Sequence, residues 1–456
     1  MRLEARLPVA VIGGGPVGLA AAAQLVTRGL PVQLYERGAT AAANVRSWSH
    51  VRLFSPWRFN VDAAAAALLQ NSGWREPLPG VLPTGRELYE LYLAPLAAAL
   101  GPRVIETNTS VRSISRRGID KVITHGRDKH PFLLTLEDAA GAWRTELARA
   151  VIDASGTWQS PNPLGASGIR VPGEARFADH IAYGIPDVLE AERKLYAGKV
   201  TLVVGGGHSA ANAVLDLLTL AAAETGTRVL WAIRNTSLAR IFGGGAADQL
   251  PARGELGTRL RRAVEARRLQ VTLGFKAESV RSSADGLLVA GRVGADETVV
   301  GPVDRILVST GQRPDLELAR ELRTDPDPWL ECPRGLAAQI DPNLHACGTV
   351  MPHGYRQLAQ PEPGYFAVGA KSYGRAPTFL MATGYEQVRS VVAHLAGDQA
   401  AADDVRLVLP ETGICFDDLG ADSPATCCTE APPTCCPGAP SLERTPDILP
   451  APESRP

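Results

Sequence analysis

Leu7-Pro-Val-Ala-Val-Ile-Gly-Gly-Gly-Pro-Val-Gly18 decides the fold. Its first half is a short apolar run rich in Val and Ile, as a parallel strand buried on both faces requires. Its second half sets glycines at 13, 15 and 18, and a helical stretch from Leu19 to Thr27 follows, stopped at Gly29. Val32 to Tyr35 reads as the next strand and ends on Glu36. Together these make a βαβ unit. In such a unit Gly13 permits the tight turn, Gly15 lets the backbone approach a pyrophosphate, and Gly18 lets helix and strand pack closely. The pyrophosphate rests on the positive N-terminus of the helix, so Pro16 is grouped with the site. Glu36 can accept both hydroxyls of an adenosine ribose, and its neighbour Arg37 is counted with it. A plain glycine turn would leave Glu36 unexplained.

A similar unit recurs far downstream. Val200 to Val204 reads as a strand, Gly205-Gly-Gly-His-Ser-Ala210 as the turn, a helix runs to about Glu224, and Val229 to Ile233 is the second strand. The glycine pattern is Gly205-x-Gly207-x-x-Ala210, with Ser209 inside it and Ala in the third place, a tolerated variation. This strand ends at Arg234 instead of an acid. A carboxylate there would repel a ribose 2′-phosphate, whereas an arginine can grip one through two hydrogen bonds. That favours a phosphorylated nicotinamide cofactor, NADPH; the alternative is a solvated surface arginine.

Ala150 to Gly156 and Arg305 to Gly311 each read as an apolar strand ending in a small-residue turn, where the chain crosses between units. The expected architecture is α/β, with two nested Rossmann-like dinucleotide-binding domains. Residues 1–164 form the first part of one domain, 165–300 the inserted second domain, and 301–400 the return to the first. Residues 417–456 are rich in Pro, Ser, Thr and acids and poor in large apolar residues, and read as a disordered tail.

Composition agrees. The 456 residues are too many for one ordinary core, and 45% hydrophobic with 21% charged residues is globular usage. Lys and Arg number 47 against 48 acids, so no field of one sign exists to capture nucleic acid or anionic lipid. Arg2 and Arg6 ahead of an apolar run mimic a signal peptide, but Gly13 to Pro16 break it. No stretch reaches the roughly 20 apolar residues a spanning helix needs. None of the seven cysteines precedes Cys332, unlike a disulfide-stapled secreted fold, and the expected compartment is the cytoplasm.

Two dinucleotide units, the turn at 153–156 and Ser309-Thr-Gly-Gln-Arg-Pro314 resemble the two-domain flavoproteins, a superfamily that includes the pyridine nucleotide-disulfide oxidoreductases and the flavin-containing monooxygenases. The resemblance runs to about residue 397. It implies FAD at Gly13, Gly15, Gly18 and Glu36, and NADPH at Gly205, Gly207, Ser209, Ala210 and Arg234. It also implies that Gly364 to Gly369 close the FAD site, with Thr378 opening the helix beside the flavin and Trp48 in a flavin-contacting loop. The disulfide reductases carry a redox cysteine pair near the flavin, and this chain has none there. The monooxygenase branch fits better, with departures: Phe54 stands where that family has Asn, and Ala370, followed by Lys371, stands where it has the acid that binds the ribityl chain.

Four cysteines form two vicinal pairs in the tail, Cys427-Cys428 and Cys435-Cys436. Paired thiolates favour soft metals, and the arrangement is similar to the mobile cysteine tail of mercuric reductases. Cys332 and Cys347 read as small buried residues. The function expected is an FAD- and NADPH-dependent monooxygenase acting on a small S, N or As nucleophile. Its alternatives are a reductase passing electrons to the tail thiols or a thiol-bound metal, and a soft-metal-binding protein.

Overall fold

The computed structural model describes residues 7–243, 251–344, 350–377 and 379–407. β1 (Val9–Ile12), β2 (Val32–Tyr35) and β3 (Ile105–Glu106) lie side by side in parallel. An antiparallel meander follows, β4 (Thr109–Arg116), β5 (Phe132–Asp138) and β6 (Trp143–Ala148), and β7 (Ala150–Asp153) then returns beside β1. The sequence is then repeated in outline. β8 (Ile181–Tyr183), β9 (Val200–Val204), β10 (Arg228–Ala232) and β11 (Gln270–Thr272) precede a second meander of β12 (Phe275–Ser283), β13 (Gly286–Val293) and β14 (Asp296–Val303). β15 (Arg305–Val308) returns beside β9, and β16 (Tyr365–Ala367) closes the first sheet beside β7.

The sheet orders are β16-β7-β1-β2-β3 and β8-β15-β9-β10-β11. They match position for position except at one edge. The second sheet takes its edge strand from just upstream, whereas the first takes it from residues beyond the whole second unit, which makes the second an insertion. A limit at 300 falls inside β14, and β15 belongs to the second sheet, so the chain leaves that unit only after Val308. The two crossing segments are bonded to each other: the Asn162 N–H donates to the Gly311 carbonyl (2.9 Å) and the Arg313 N–H to that of Ser160 (3.0 Å).

β1, β7 and most of β9 are fully buried, as their Val- and Ile-rich composition demands. The helix Pro16–Thr27 begins three residues earlier than the apolar pattern suggests, because Pro16 occupies its first turn, where the missing N–H costs nothing. Ala20 to Ala23 are buried on this helix, and such small side chains let it pack closely beneath the Met381–Leu395 helix. Each large apolar side chain buried in these cores contributes about 1.5–3 kcal/mol. Among the described residues no helix is long and apolar enough to cross a membrane.

One half-buried acid works against the second unit. Asp216, on the His208–Ala223 helix, is pushed up to about 6 by burial, with Arg259 pulling it back and Asp187 adding to the rise. A carboxyl raised in the folded state makes stability fall as pH rises from the ordinary Asp value toward 6. Asp216→Asn should therefore stabilise the protein at pH 7. The full shift corresponds to about 3 kcal/mol, and partial exposure reduces the expected gain to about 1–2 kcal/mol. The gain should vanish below pH 4; a denaturation series showing the same difference at pH 4 and pH 7 would rule this account out.

Candidate functional site

The first glycine turn lies at the carboxyl ends of β1, β2 and β7, and its three glycines are needed for three different reasons. Gly13 has φ +96°, and a Cβ there would sit 2.7 Å from the Ala154 carbonyl oxygen. A Cβ on Gly18 would fall 1.9 Å from the Gly13 carbonyl oxygen. A Cβ on Gly15 would meet nothing within 4 Å. Gly13 and Gly18 are thus required by the fold itself, whereas Gly15 faces open space, where a ligand backbone can approach. Gly15 caps the helix with no side-chain hydrogen bond, leaving first-turn N–H groups to an anion.

Glu36 holds this turn in shape. Its two carboxylate oxygens accept from the Gly14 and Gly38 N–H groups, each at 2.6 Å. A carboxylate retains further lone pairs after two such bonds, so ribose hydroxyls can still be received. Gly13, Glu36, Arg37, Ser155 and Lys371 all border one cavity of about 240 Å³. Gly369 has φ +68° and lies against Val17, which brings the closing turn onto the start of the first helix. Trp48 is seated over Gly85, where a Cβ would come within 2.7 Å of its ring, and its centroid is 6.5 Å from that of Trp158. It does not border the cavity. Thr378 lies outside the described residues.

The second turn repeats the first. Gly205 has φ +141°, and a Cβ there would lie 2.2 Å from the Ser309 carbonyl oxygen, while one on Gly207 would meet nothing within 4 Å. Ala210 is buried in the third place and Ser209 is exposed. The Trp231 indole donates to the Gly205 carbonyl (2.9 Å), pinning the turn from beneath. Arg234 stands two residues past the end of β10 and is exposed, with no ion pair among the described residues.

Sequence reasoning missed two features. Phe54, on the first unit, meets the His208 ring of the second edge-on at 5.2 Å, a contact across the two units that no local pattern announces. The second is a cluster in which buried Asp153, Tyr365 and Lys371 meet the exposed Ser155. An acid ending an otherwise apolar strand at Asp153, and a lysine beside Ala370, were its only signals. Cys332 is buried, and burial, with Asp327 adding to it, pushes its thiol up to about 12. Cys347 and the paired cysteines 427, 428, 435 and 436 lie outside the described residues, and among those described no group of three or more His, Cys, Asp or Glu is placed to hold a metal.

Two nested dinucleotide units, one with an acid after its second strand and one with an arginine, define a two-nucleotide redox protein. The chain belongs to the pyridine nucleotide-disulphide oxidoreductase family, which matches residues 7–363. It is an oxidoreductase working with FAD and a pyridine nucleotide. An indole-3-pyruvate monooxygenase, YUCCA1 of Oryza sativa subsp. japonica, is 30% identical over 254 residues, 52% of this chain and 50% of the relative. The match thus spans about half the length of that curated relative. Among solved structures, the bacillithiol disulfide reductase Bdr (YpdA) from Bacillus cereus has a TM-score of 0.63 at 16% identity, covering 86% of this chain and 99% of its own. DfoA bound to FAD, the cadaverine monooxygenase of desferrioxamine biosynthesis in Erwinia amylovora, has a TM-score of 0.58 at 14% identity, covering 92% and 99%. At such identity the likeness is one of fold.

Proposed function

We propose that the protein is an NADPH-consuming flavin monooxygenase acting on a small S, N or As nucleophile. The observation that carries this reading is the thiol inventory. No cysteine precedes Cys332, and Cys332 is 1% exposed with its thiol held far from ionisation at neutral pH. Among the described residues a dithiol relay beside the first site therefore has nothing to run on, which favours a diffusible acceptor.

FAD, when bound, supplies the exchange of an electron pair between NADPH and oxygen. The chain's own residues place the reactants. Gly15 and the open helix N-terminus receive the FAD pyrophosphate, and Glu36 receives its ribose. Gly207 and the second helix receive the other nucleotide, with Arg234 on its 2′-phosphate. NADPH and a proton provide two electrons and two hydrogens; one atom of O2 enters the substrate and the other leaves as water. In this reading the enzyme works in the cytoplasm on a small diffusible molecule. Oxygen uptake with NADPH and a thioether, an amine or arsenite tests it, the product being checked for oxygen derived from labelled O2. NADPH-dependent reduction of a small disulfide without oxygen uptake would instead assign a reductase.

The choice of NADPH rests on Arg234. A charge-assisted contact to the 2′-phosphate is worth about 1.5–3 kcal/mol, or roughly ten- to a hundredfold in affinity. Arg234→Ala should raise the KM for NADPH by about that factor and leave the KM for NADH nearly unchanged. Equal losses for both would make Arg234 structural.

A further inference from the structure

Six lysines occur in the chain, and Lys371 alone among them is buried, at 2% exposure. An isolated ammonium in a protein interior is strongly disfavoured, so its partners must account for it. Its Nζ donates to Asp153 Oδ2 at 2.6 Å and to Ser155 Oγ at 3.1 Å. Asp153 is itself 0% exposed and fully engaged: it also accepts from the Tyr365 hydroxyl at 3.0 Å, and from the Ser155 hydroxyl and N–H at 2.6 and 3.2 Å.

The count on the lysine does not close. An ammonium has three donors, and the described residues take two of them. Lys371 borders the same cavity as Gly13, Glu36, Ser155 and Gly156. A third N–H left over at the wall of a nucleotide cavity calls for an acceptor inside it. The chemistry of that acceptor follows from the donor. Ala370 offers no polar side chain, and Lys371 beside it brings a cation. A donor of this kind matches a group that only accepts and carries negative charge. Of the parts of FAD, the pyrophosphate is that group, and the Gly13 turn beside Lys371 is where the helix N-terminus would receive it.

We propose that Lys371 binds the pyrophosphate of FAD, with Asp153 and Ser155 as positioning residues that aim its ammonium and Tyr365 holding Asp153. The proposal rests on FAD occupying the first site. A merely structural ion pair is the competing account. Replacing a buried pair by apolar residues of similar size is often neutral for stability, so the two accounts can be separated by removing both partners together.

The experiment titrates apoprotein with FAD, ADP and adenosine, comparing wild type with the double variant Asp153→Leu/Lys371→Met and with Lys371→Gln and Lys371→Arg. The melting temperature of each apoprotein is recorded alongside. The proposal expects FAD and ADP to bind roughly ten- to a hundredfold more weakly to the double variant and to Lys371→Gln. Adenosine, which lacks phosphate, should bind unchanged, and Lys371→Arg should keep most of the affinity. Unchanged ADP binding with weakened FAD would move the contact to the ribityl chain and overturn the proposal. Unchanged binding of both, whatever the melting temperatures, would leave a structural ion pair only. If the double variant fails to fold, the Gln and Arg variants decide by the same titration. A wild-type protein that binds neither FAD nor ADP would overturn the FAD reading of the site itself, an outcome distinct from the others.

Discussion

Gly15→Val should give a folded protein without flavin. Gly15 lies in extended backbone, φ −72° and ψ −176°, which any residue adopts, and a Cβ there meets nothing within 4 Å. The fold therefore loses little, about 1 kcal/mol for a poorer helix cap. What the valine fills is the space a pyrophosphate needs, so visible flavin absorbance should be lost while the apoprotein's melting temperature stays within a few degrees. Gly18→Val should do the reverse and compromise folding, since its Cβ would overlap the Gly13 carbonyl at 1.9 Å. Full flavin occupancy in folded Gly15→Val protein would place the cofactor elsewhere.

The second large effect lies in the joint between the first meander and β16. Glu362 is 1% exposed and receives two guanidinium groups, from Arg116 Nε at 2.8 Å and from Arg127 at 2.8 and 3.0 Å, with the Arg323 N–H at 3.0 Å. Arg116 also lies over the Phe132 ring, 3.7 Å from its centroid. Arg116 ends β4 and Glu362 lies three residues before β16, so this cluster bonds the meander to the segment that closes the sheet. Glu362→Gln would leave two buried arginines without their counter-charge, which costs about 3–5 kcal/mol. Burial alone would raise the Glu362 carboxyl, but the bonds from Arg127, the Arg323 N–H and Arg116, with the Arg116 charge, outweigh it and hold it below the ordinary value. A depressed carboxyl contributes its stability in full above the ordinary Glu value and loses it as pH falls through the lower, folded one. Wild type should therefore lose denaturant resistance on acidification below about pH 4, and Glu362→Gln should start lower and depend less on pH. A variant within 1 kcal/mol of wild type at pH 7 would show the cluster to be dispensable.

The first glycine turn and its flanking strand and helix can be read from the chain because their signals are local. Gly13, Gly15, Gly18 and Glu36 stand within 24 residues, and their spacing is dictated by one turn, one helix and one strand. The same holds for Gly205, Gly207, Ala210 and Arg234. Helix ends were read less well: apolar periodicity locates a buried face, whereas the start at Pro16 is set by a backbone preference that periodicity does not report. The sequence puts the exit from the second unit before β15 because an apolar run suits either sheet, and only its pairing with β9 assigns β15 to the second.

What the sequence by itself determined is the pair of βαβ units, the identity of the residues at their turns and the absence of cysteine before residue 332. The first two follow from short-range sterics, where a Cβ either fits or does not; the last is read directly from the chain. What only the tertiary structure decided is which distant segments share a surface. Asp153, Ser155, Tyr365 and Lys371 meet because β16 returns beside β7 after the whole second unit has intervened. Arg116, Arg127 and Glu362 meet by that same return, and Phe54 reaches His208 across the two units. Buried charges can exist only where partners are delivered to them, and that delivery depends on long-range strand pairing, which leaves no periodic trace in the chain.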